Sequence, residues 1–237
     1  MHTLKSSSQL KADAREQLLG KYKTVIFAYL IMQFLLSSCL SIAQSQLNLQ
    51  SLGGSVIYYA VYLIVTLFGA VFTTGQNYMY LNIARGQEFA VRNIWHAFRN
   101  LADRCLILQL IILAKMFLCG IPFIAASAAL VMTQNYYLSI AVAATLIFFL
   151  VTATIISIHY SQVFYLVLDR PTLSARELLA ESKSLMKGHK GGYFYLIISF
   201  LGVFLLTVLT FGIGTLWVYP YFMSVKANYY LDLTAES

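Results

Sequence analysis

Charge is scarce in this chain of 237 residues: 11% of the residues are charged, and nine of them are acidic. A soluble domain carries about 25% charged residues, so this composition excludes a disordered chain, a basic nucleic-acid-binding domain and most soluble enzymes. Cysteine and proline are also rare, with three copies of each. The cysteines show no CxxC spacing and have no histidines at metal-ligand intervals, which indicates apolar packing residues rather than a metal site.

Hydrophobic residues make up 59% of the chain and gather in long runs. A helix needs roughly 20 apolar residues to cross a bilayer core. Six runs are close to that length or longer: 24–43, 55–83, 105–132, 138–168, 193–211 and 213–231. Their continuity favours helices, because barrel strands alternate in polarity. The sequence therefore predicts one all-α integral-membrane domain over residues 1–237, a polytopic protein with about six transmembrane helices. The sixth run contains Pro220 and Lys226, so four or five spans with a re-entrant piece stay open as an alternative.

The charged residues fall on alternate connections between these runs. The basic ones precede the first run, the third and the fifth, or lie near the C-terminal end: Lys5, Lys11, Arg15, Lys21, Lys23, Arg85, Arg92, Arg99, Arg104, Arg170, Arg176, Lys183, Lys187, Lys190 and Lys226. The other connections, 44–54, 133–137 and Gly212, hold no charged residue. Basic residues near span ends mark the cytoplasmic side. We therefore expect both termini in the cytoplasm, with Lys115 as the one basic residue that sidedness does not explain.

Three charged segments have helical periodicity and are predicted to be amphipathic helices along the cytoplasmic membrane surface. The first, within residues 1–23, has Leu10, Ala14 and Leu18 on its apolar face and ends near Gly20. The apolar stripe of the second consists of Val91, Ile94, Trp95, Phe98, Leu101 and Ala102. Trp95 and Phe98 are expected to dip toward acyl chains.

The third amphipathic segment carries explicit end signals. Ser174 and Glu177 have the spacing of a capping box, and Gly188 follows as the expected stop. Its apolar side is predicted to hold Leu178, Ser182, Leu185 and Met186. These segments either brace the spans and anchor them to lipid, or form a surface for a protein partner or for anionic lipid headgroups. The candidate headgroup-binding residues are Lys187, His189, Lys190, Arg92 and Arg99.

Lys115 lies inside the third run, near mid-bilayer, and an ionisable group at that depth suggests a functional site. No acidic residue lies within a run to pair with it. The candidate intramembrane polar site comprises Lys115, His159, Gln162, Gln76 and Asn77, which together could line a water-filled vestibule open to the cytoplasm. In the alternative interpretation, the long lysine stem lets the ammonium snorkel toward the interface.

Motifs of membrane enzymes and pumps are missing. The sequence contains no H-E-x-x-H, no G-x-S-x-G and no Gly-rich phosphate loop that ends in Lys-Ser or Lys-Thr. Without an acidic residue in a span, it has no aspartyl protease pair and no usual proton- or sodium-coupling carboxylate. We therefore expect no enzymatic activity, no cofactor and no metal.

The region from Tyr160 onward carries motifs of a known family. The most specific are Leu168-Asp169-Arg170-Pro171, Met186-Lys187-Gly188-His189-Lys190 and Trp217-Val218-Tyr219-Pro220-Tyr221, followed by Ala227-Asn228-Tyr229-Tyr230. Near the start, Gly20-Lys21-Tyr22 matches as well. The chain resembles the bacterial integral-membrane family catalogued as domain of unknown function 975. The resemblance implies a multi-span bacterial membrane protein and carries over no activity and no functional residue.

Two functions are weighed for such a protein. The first is a non-enzymatic scaffold or accessory in the bacterial cytoplasmic membrane, with the lipid bilayer, anionic headgroups and a protein as partners and no nucleic acid. The alternative is a small transporter or permease component that uses the polar cytoplasm-facing vestibule. A lipid-modifying enzyme ranks third, because no catalytic constellation supports it.

Overall fold

A computed structural model of the protein describes residues 4–236, which are 82% helical and contain no strand. The helices are α1 (Ser7–Leu18), α2 (Tyr22–Gln46), α3 (Leu52–Ala84), α4 (His96–Asn100), α5 (Ala102–Thr133), α6 (Leu138–His159), α7 (Val163–Asp169), α8 (Ala175–Leu185), α9 (Lys190–Ile198), α10 (Leu201–Leu209) and α11 (Thr215–Glu236). A 3₁₀ helix at Val91–Trp95 precedes α4. The all-α prediction is confirmed.

Five stretches are long and apolar enough to cross a membrane: Tyr22–Gln46, Leu52–Ala84, Ala102–Thr133, Leu138–Asp169 and Lys190–Leu209. They match the first five predicted runs. The sixth run, 213–231, lies in α11 from Thr215 onward, and α11 is not among the five. The second half of α11 carries Lys226, Asn228 and Asp232, so composition alone does not make α11 a span.

Two of the five stretches are interrupted. The fourth breaks at residues 160–162, between α6 and α7, and the fifth breaks at residues 199–200, between α9 and α10. By contrast, α5 and α11 continue through Pro122 and Pro220. The breaks let the short helices α7 and α9 turn their side chains into the protein core.

That core lies at one end of the helical bundle. We call this the charged end; residues 4–21, 85–104 and 170–190 lie there, and the opposite, neutral end holds residues 47–51, 134–137 and 210–214. One contiguous cluster joins α1, α4, α7, α8 and α9 to the adjoining parts of α2, α3, α5 and α11. Its largest fully buried side chains include Tyr80, Tyr165, Tyr230 and Phe200.

Toward the neutral end the helices leave most of their apolar surface exposed. The most apolar windows of the five stretches are between 0% and 22% buried within the protein. Among the described residues of α6 none is buried, and large apolar side chains such as Phe34, Ile147 and Leu209 are exposed. Continuous exposed apolar surface of this extent is typical of lipid-facing or partner-facing helices.

The first amphipathic helix packs on protein. Leu10, Ala14 and Leu18, which are predicted to share a face, are buried in the same cluster as α11. The backbone N–H of Lys5 donates a 2.6 Å hydrogen bond to the Asp232 carboxylate of α11. Gly20 has a φ of +75°, the left-handed conformation expected after a helix end. The apolar face of α1 therefore braces the bundle.

The second amphipathic segment differs from the single helix that its periodicity predicts. It forms the 3₁₀ helix Val91–Trp95 and the short α4, which ends at Asn100. Ile94 is fully buried, and its carbonyl oxygen lies so close to Gly75 that a Cβ there would be 2.0 Å away. Trp95 and Phe98 pack on Phe72 of α3, with ring centroids 5.2 and 4.6 Å apart, while Trp95 stays 41% exposed.

The third amphipathic segment forms α8 with the predicted capping box. The Ser174 backbone N–H donates to the Glu177 carboxylate at 2.8 Å, and the Glu177 N–H donates back to the Ser174 hydroxyl at 3.4 Å. Gly188 adopts a φ of +90°, two residues after the C-cap. Leu178, Ser182 and Met186 are buried, so this face packs against the core.

Candidate functional site

Lys115 finds a partner across the α5–α6 hairpin. Its ammonium donates to the Tyr160 hydroxyl, and the Nζ lies 4.4 Å from the centroid of the same ring. Tyr160 is placed there because the chain leaves the helix at the end of α6. Sequence spacing did not reveal this pair, since the two residues are 45 positions apart. Lys115 is half-buried.

Gln76 and Asn77 lie in the buried part of α3. Gln76 is fully buried and accepts a 2.8 Å hydrogen bond from the Tyr219 hydroxyl of α11, while its Nε2 has no partner. The Oδ1 of Asn77, at 2% exposure, also lacks a partner. Gln76 therefore faces α11, whereas Lys115 contacts Tyr160 at the end of α6.

Gln162 and His159 flank the break between α6 and α7. The Gln162 amide donates to the Ser161 hydroxyl at 2.9 Å, but its Oε1 is buried without a partner. The His159 carbonyl accepts a 2.8 Å hydrogen bond from Ser182 of α8, and its ring Nε2 is buried and unpartnered. The cavities described below are lined by other residues, so the single vestibule stays a prediction.

Buried polar atoms without partners recur through α3, α7 and α11. In the part of the chain that the structure describes, they include atoms of Gln76, Asn77, Tyr80, Gln162, Tyr165, Ser224 and Asn228. Most buried polar groups in proteins are hydrogen-bonded, to protein or to ordered water. Such a concentration in one core indicates sites where buried waters bind.

The predicted headgroup residues separate into three places. Lys187 and Lys190 meet Lys183 around a surface cavity of about 390 Å³ where α8 leads into α9. His189 lines a different cavity, beside the start of α1, and its carbonyl accepts a hydrogen bond from Tyr229. The first of these places brings three lysines together.

Arg92 and Arg99 line a third cavity, of about 230 Å³, together with Tyr78, Asn93 and His96. The His96 ring stacks on Tyr78 at a centroid distance of 3.9 Å. Burial, with a smaller contribution from Arg99, lowers the pKa of His96. The imidazole is therefore neutral at physiological pH, and the two guanidinium groups carry the positive charge here.

Two further features were missed by sequence reasoning. Asp169 accepts two hydrogen bonds from Arg85, at 2.7 and 3.0 Å, and one from the Tyr230 hydroxyl at 2.9 Å, which ties α7 to α3 and α11. Lys226 lines a groove of about 530 Å³ between α6 and α9. The family motifs around residues 168–171 and 227–230 contain or adjoin these residues, but nothing in their spacing shows the contacts.

Comparison with known proteins gives one match. A family model described as "Protein of unknown function (DUF975)" matches residues 1–237. No curated protein and no solved structure matches the chain. Within residues 4–236, no group of three or more His, Cys, Asp or Glu residues is arranged to hold a metal ion. The chain belongs, over its whole length, to the DUF975 family, whose function is unknown.

Proposed function

We propose that this protein is a non-enzymatic, multi-pass scaffold or accessory of the bacterial cytoplasmic membrane. The observation that carries the proposal is the contrast between a packed charged end and open apolar helices, whose most apolar windows are at most 22% buried. Helices that leave so much apolar surface exposed within one chain need lipid or other helices to cover it. They suit a protein whose spans contact lipid and partner helices.

The charged end is proposed to face the cytoplasm, with six membrane crossings. Residues near both termini meet at this end, where the Lys5 N–H bonds Asp232, so the chain crosses an even number of times. α11 follows α10 back from the neutral end and supplies the sixth crossing. Tyr221, Val225 and Tyr229 are buried by protein, which shields the polar second half of α11 from lipid.

The α5–α6 hairpin is the proposed contact for a partner's transmembrane helix. The two helices pack on each other, with Phe123 and Phe149 stacked at 6.5 Å. An exposed ridge on α6 at helical spacing consists of Phe148, Val151 and Ile155. The other long helices contribute buried residues to the core, whereas α6 contributes none.

A photo-crosslinking residue at Phe148 tests the partner directly. In native membranes we expect one discrete protein adduct at Phe148, saturable and absent when Val151 and Ile155 are changed to alanine. Phe34, equally apolar and 70% exposed on α2, is the matched position that should yield lipid adducts alone. Lipid adducts alone at both positions would contradict the scaffold proposal.

The cavity between Lys183, Lys187 and Lys190 is the proposed anionic headgroup site. Within residues 4–236 no carboxylate lines this cavity, and cations near a membrane surface attract anionic lipid by about 1 kcal/mol each. Changing Lys187 and Lys190 to glutamine should reduce retention of phosphatidylglycerol by the purified protein. The control is the pair of half-buried Lys21 and exposed Lys23, changed in the same way. Equal retention in both variants would rule out the site.

The transporter alternative is supported by one specific observation, the unpartnered polar atoms of α3, α7 and α11. Waters bound to these atoms would form part of a polar route through the core. If the protein moves a solute, that solute should raise the melting temperature of the purified protein, and Gln76→Leu should abolish the shift. If no solute in the screen raises the melting temperature of the wild type in a way that Gln76→Leu abolishes, the scaffold is favoured.

A further inference from the structure

The groove around Lys226 combines an apolar wall with one cation. Its α6 side is made of residues at one-face spacing, Leu150, Ala153, Thr154, Ser157 and Ile158, continued by Ser161. Its α9 side is formed by Tyr193, Phe194 and Ile197. The volume of about 530 Å³ falls in the range of small-molecule binding sites.

The ammonium of Lys226 is unsatisfied. In the described part of the chain it makes no hydrogen bond and no ion pair, and its one aromatic contact is the Phe222 ring, 5.7 Å from the Nζ. Among residues 4–236, no carboxylate lines the groove. The hydroxyls of Thr154 and Ser161 already bond backbone carbonyls of their own helix, to Leu150 and Ile158, respectively. A half-buried cation in such surroundings is complemented by an anionic ligand.

The position of the groove identifies the kind of anion. α6 and α9 belong to two different candidate spans, so the groove opens sideways into the apolar region. Lys226 and Ser157 lie toward its charged-end side, while Leu150 extends the wall toward the neutral end. A ligand that fills it needs an anionic head beside the ammonium and an apolar chain along α6.

We propose that this groove binds one anionic phospholipid, with its phosphate on Lys226 and Ser157 and an acyl chain along α6 and α9. The site requires that α6 and α9 lie in a membrane and does not require a partner on the α5–α6 ridge. Failure of the crosslinking at Phe148 would therefore leave it standing. It is also separate from the surface cavity of Lys187 and Lys190.

The test uses full-length protein in neutral detergent and a phosphatidylglycerol probe with a photoreactive acyl chain. Adducts are mapped by peptide mass spectrometry. We expect labelling within residues 150–158 and 193–197, and an approximately tenfold loss in Lys226→Gln, as expected when a charged hydrogen bond is removed. Lys226→Arg should retain labelling, as should Lys23→Gln, which removes an exposed lysine elsewhere.

Three controls decide the result. Ser157→Leu leaves the ammonium in place and fills the groove, so it should also lose labelling while keeping the wild-type melting temperature. A phosphatidylcholine probe with the same chains should label no more than the Lys226→Gln variant does. The proposal is overturned if Lys226→Gln labels like wild type, if the two headgroups label equally, or if excess inorganic phosphate abolishes labelling, which would identify a soluble anion as the occupant.

Discussion

Asp169 shows how one residue can join distant parts of this fold. It binds Arg85, 84 positions away, and Tyr230, 61 positions away, so the ends of α3 and α7 and the last turns of α11 share one carboxylate. The side chains of Arg85 and Asp169 are partly exposed, and Tyr230 is buried. Solvent therefore screens the attraction between Arg85 and Asp169 only moderately. The charged end thus depends on a polar contact as well as on apolar packing.

Replacing Asp169 with asparagine should lower the free energy of unfolding by about 1–2 kcal/mol, because hydrogen bonds to a charged group are lost and Arg85 is left unpaired. Thermal unfolding in detergent measures the change. Asp13→Asn, which breaks the more exposed pair with Lys5, should cost less. Equal losses for the two variants would contradict the role given to Asp169.

We expect the Tyr160 hydroxyl to stabilise Lys115 in its half-buried position. An ammonium in a span costs roughly 2.5–3.5 kcal/mol at the bilayer centre, and the hydrogen bond to Tyr160 offsets part of that cost. Tyr160→Phe should therefore destabilise the wild type by about 1 kcal/mol and have almost no effect in a Lys115→Leu background. A double-mutant cycle on melting temperature gives the coupling. Additive effects would show that the contact carries no energy.

At the scale of elements, the 3₁₀ helix Val91–Trp95 is fixed to α3 by a close approach at Gly75. A Cβ added at Gly75 would lie 2.0 Å from the Ile94 carbonyl oxygen. Because this oxygen belongs to the backbone, it cannot move aside as the end of a flexible side chain could. We predict that Gly75→Ala destabilises the protein by about 1–3 kcal/mol through overpacking.

Gly69 provides the matched control for Gly75. It lies six residues earlier on the same helix, and a Cβ there would meet only the Leu36 side chain, at 3.7 Å. Gly69→Ala should leave stability unchanged or raise it slightly, since alanine favours helix. Equal unfolding temperatures for Gly75→Ala and Gly69→Ala would contradict close packing of the 3₁₀ helix Val91–Trp95 against α3.

The capping box of α8 makes a pH-dependent contribution. The hydrogen bond from the Ser174 backbone N–H holds the pKa of Glu177 below its usual value. A lowered folded-state pKa stabilises the fold fully above the unfolded pKa, and this stabilisation is lost as the pH falls through the folded value. Glu177→Gln should thus melt earlier than wild type at neutral pH and converge with it in acid.

Glu16 serves as the control for that pH series. Its side chain makes no hydrogen bond or ion pair within residues 4–236, so Glu16→Gln removes a carboxylate that caps no helix and should melt like the wild type at neutral pH. If both glutamine variants show the same difference from wild type across the series, the capping carboxylate has no special part in the stability of α8.

At the scale of the whole molecule, the predictable features were those encoded locally. The first five runs, the capping box at Ser174 and the left-handed Gly20 and Gly188 each depend on a short stretch of chain, and the structure confirms them. Membership of the DUF975 family was also recognisable from motifs. Apolar continuity and capping act over a few turns, so one sequence suffices to find them.

The remaining features depend on contacts between distant segments. α11 combines an apolar first half with a polar second half, which becomes buried only when α1 and α3 pack around it. Hydropathy alone therefore does not show whether α11 crosses the membrane. The break at residues 160–162 lies in an uncharged run, and no change in composition marks its position. The partner of Lys115 and the groove of Lys226 likewise require the helices to be placed first.

Sidedness is the claim on which the proposed scaffold and headgroup site both depend. Single cysteines at Gln50 and Gln134 on the neutral end, and at Gln87 and Thr172 on the charged end, can be placed in a background without Cys39, Cys105 and Cys119; all four positions are exposed. A membrane-impermeant maleimide should label the first two in intact cells and the last two only after lysis. Labelling of Gln87 or Thr172 positions in intact cells would contradict a cytoplasmic charged end.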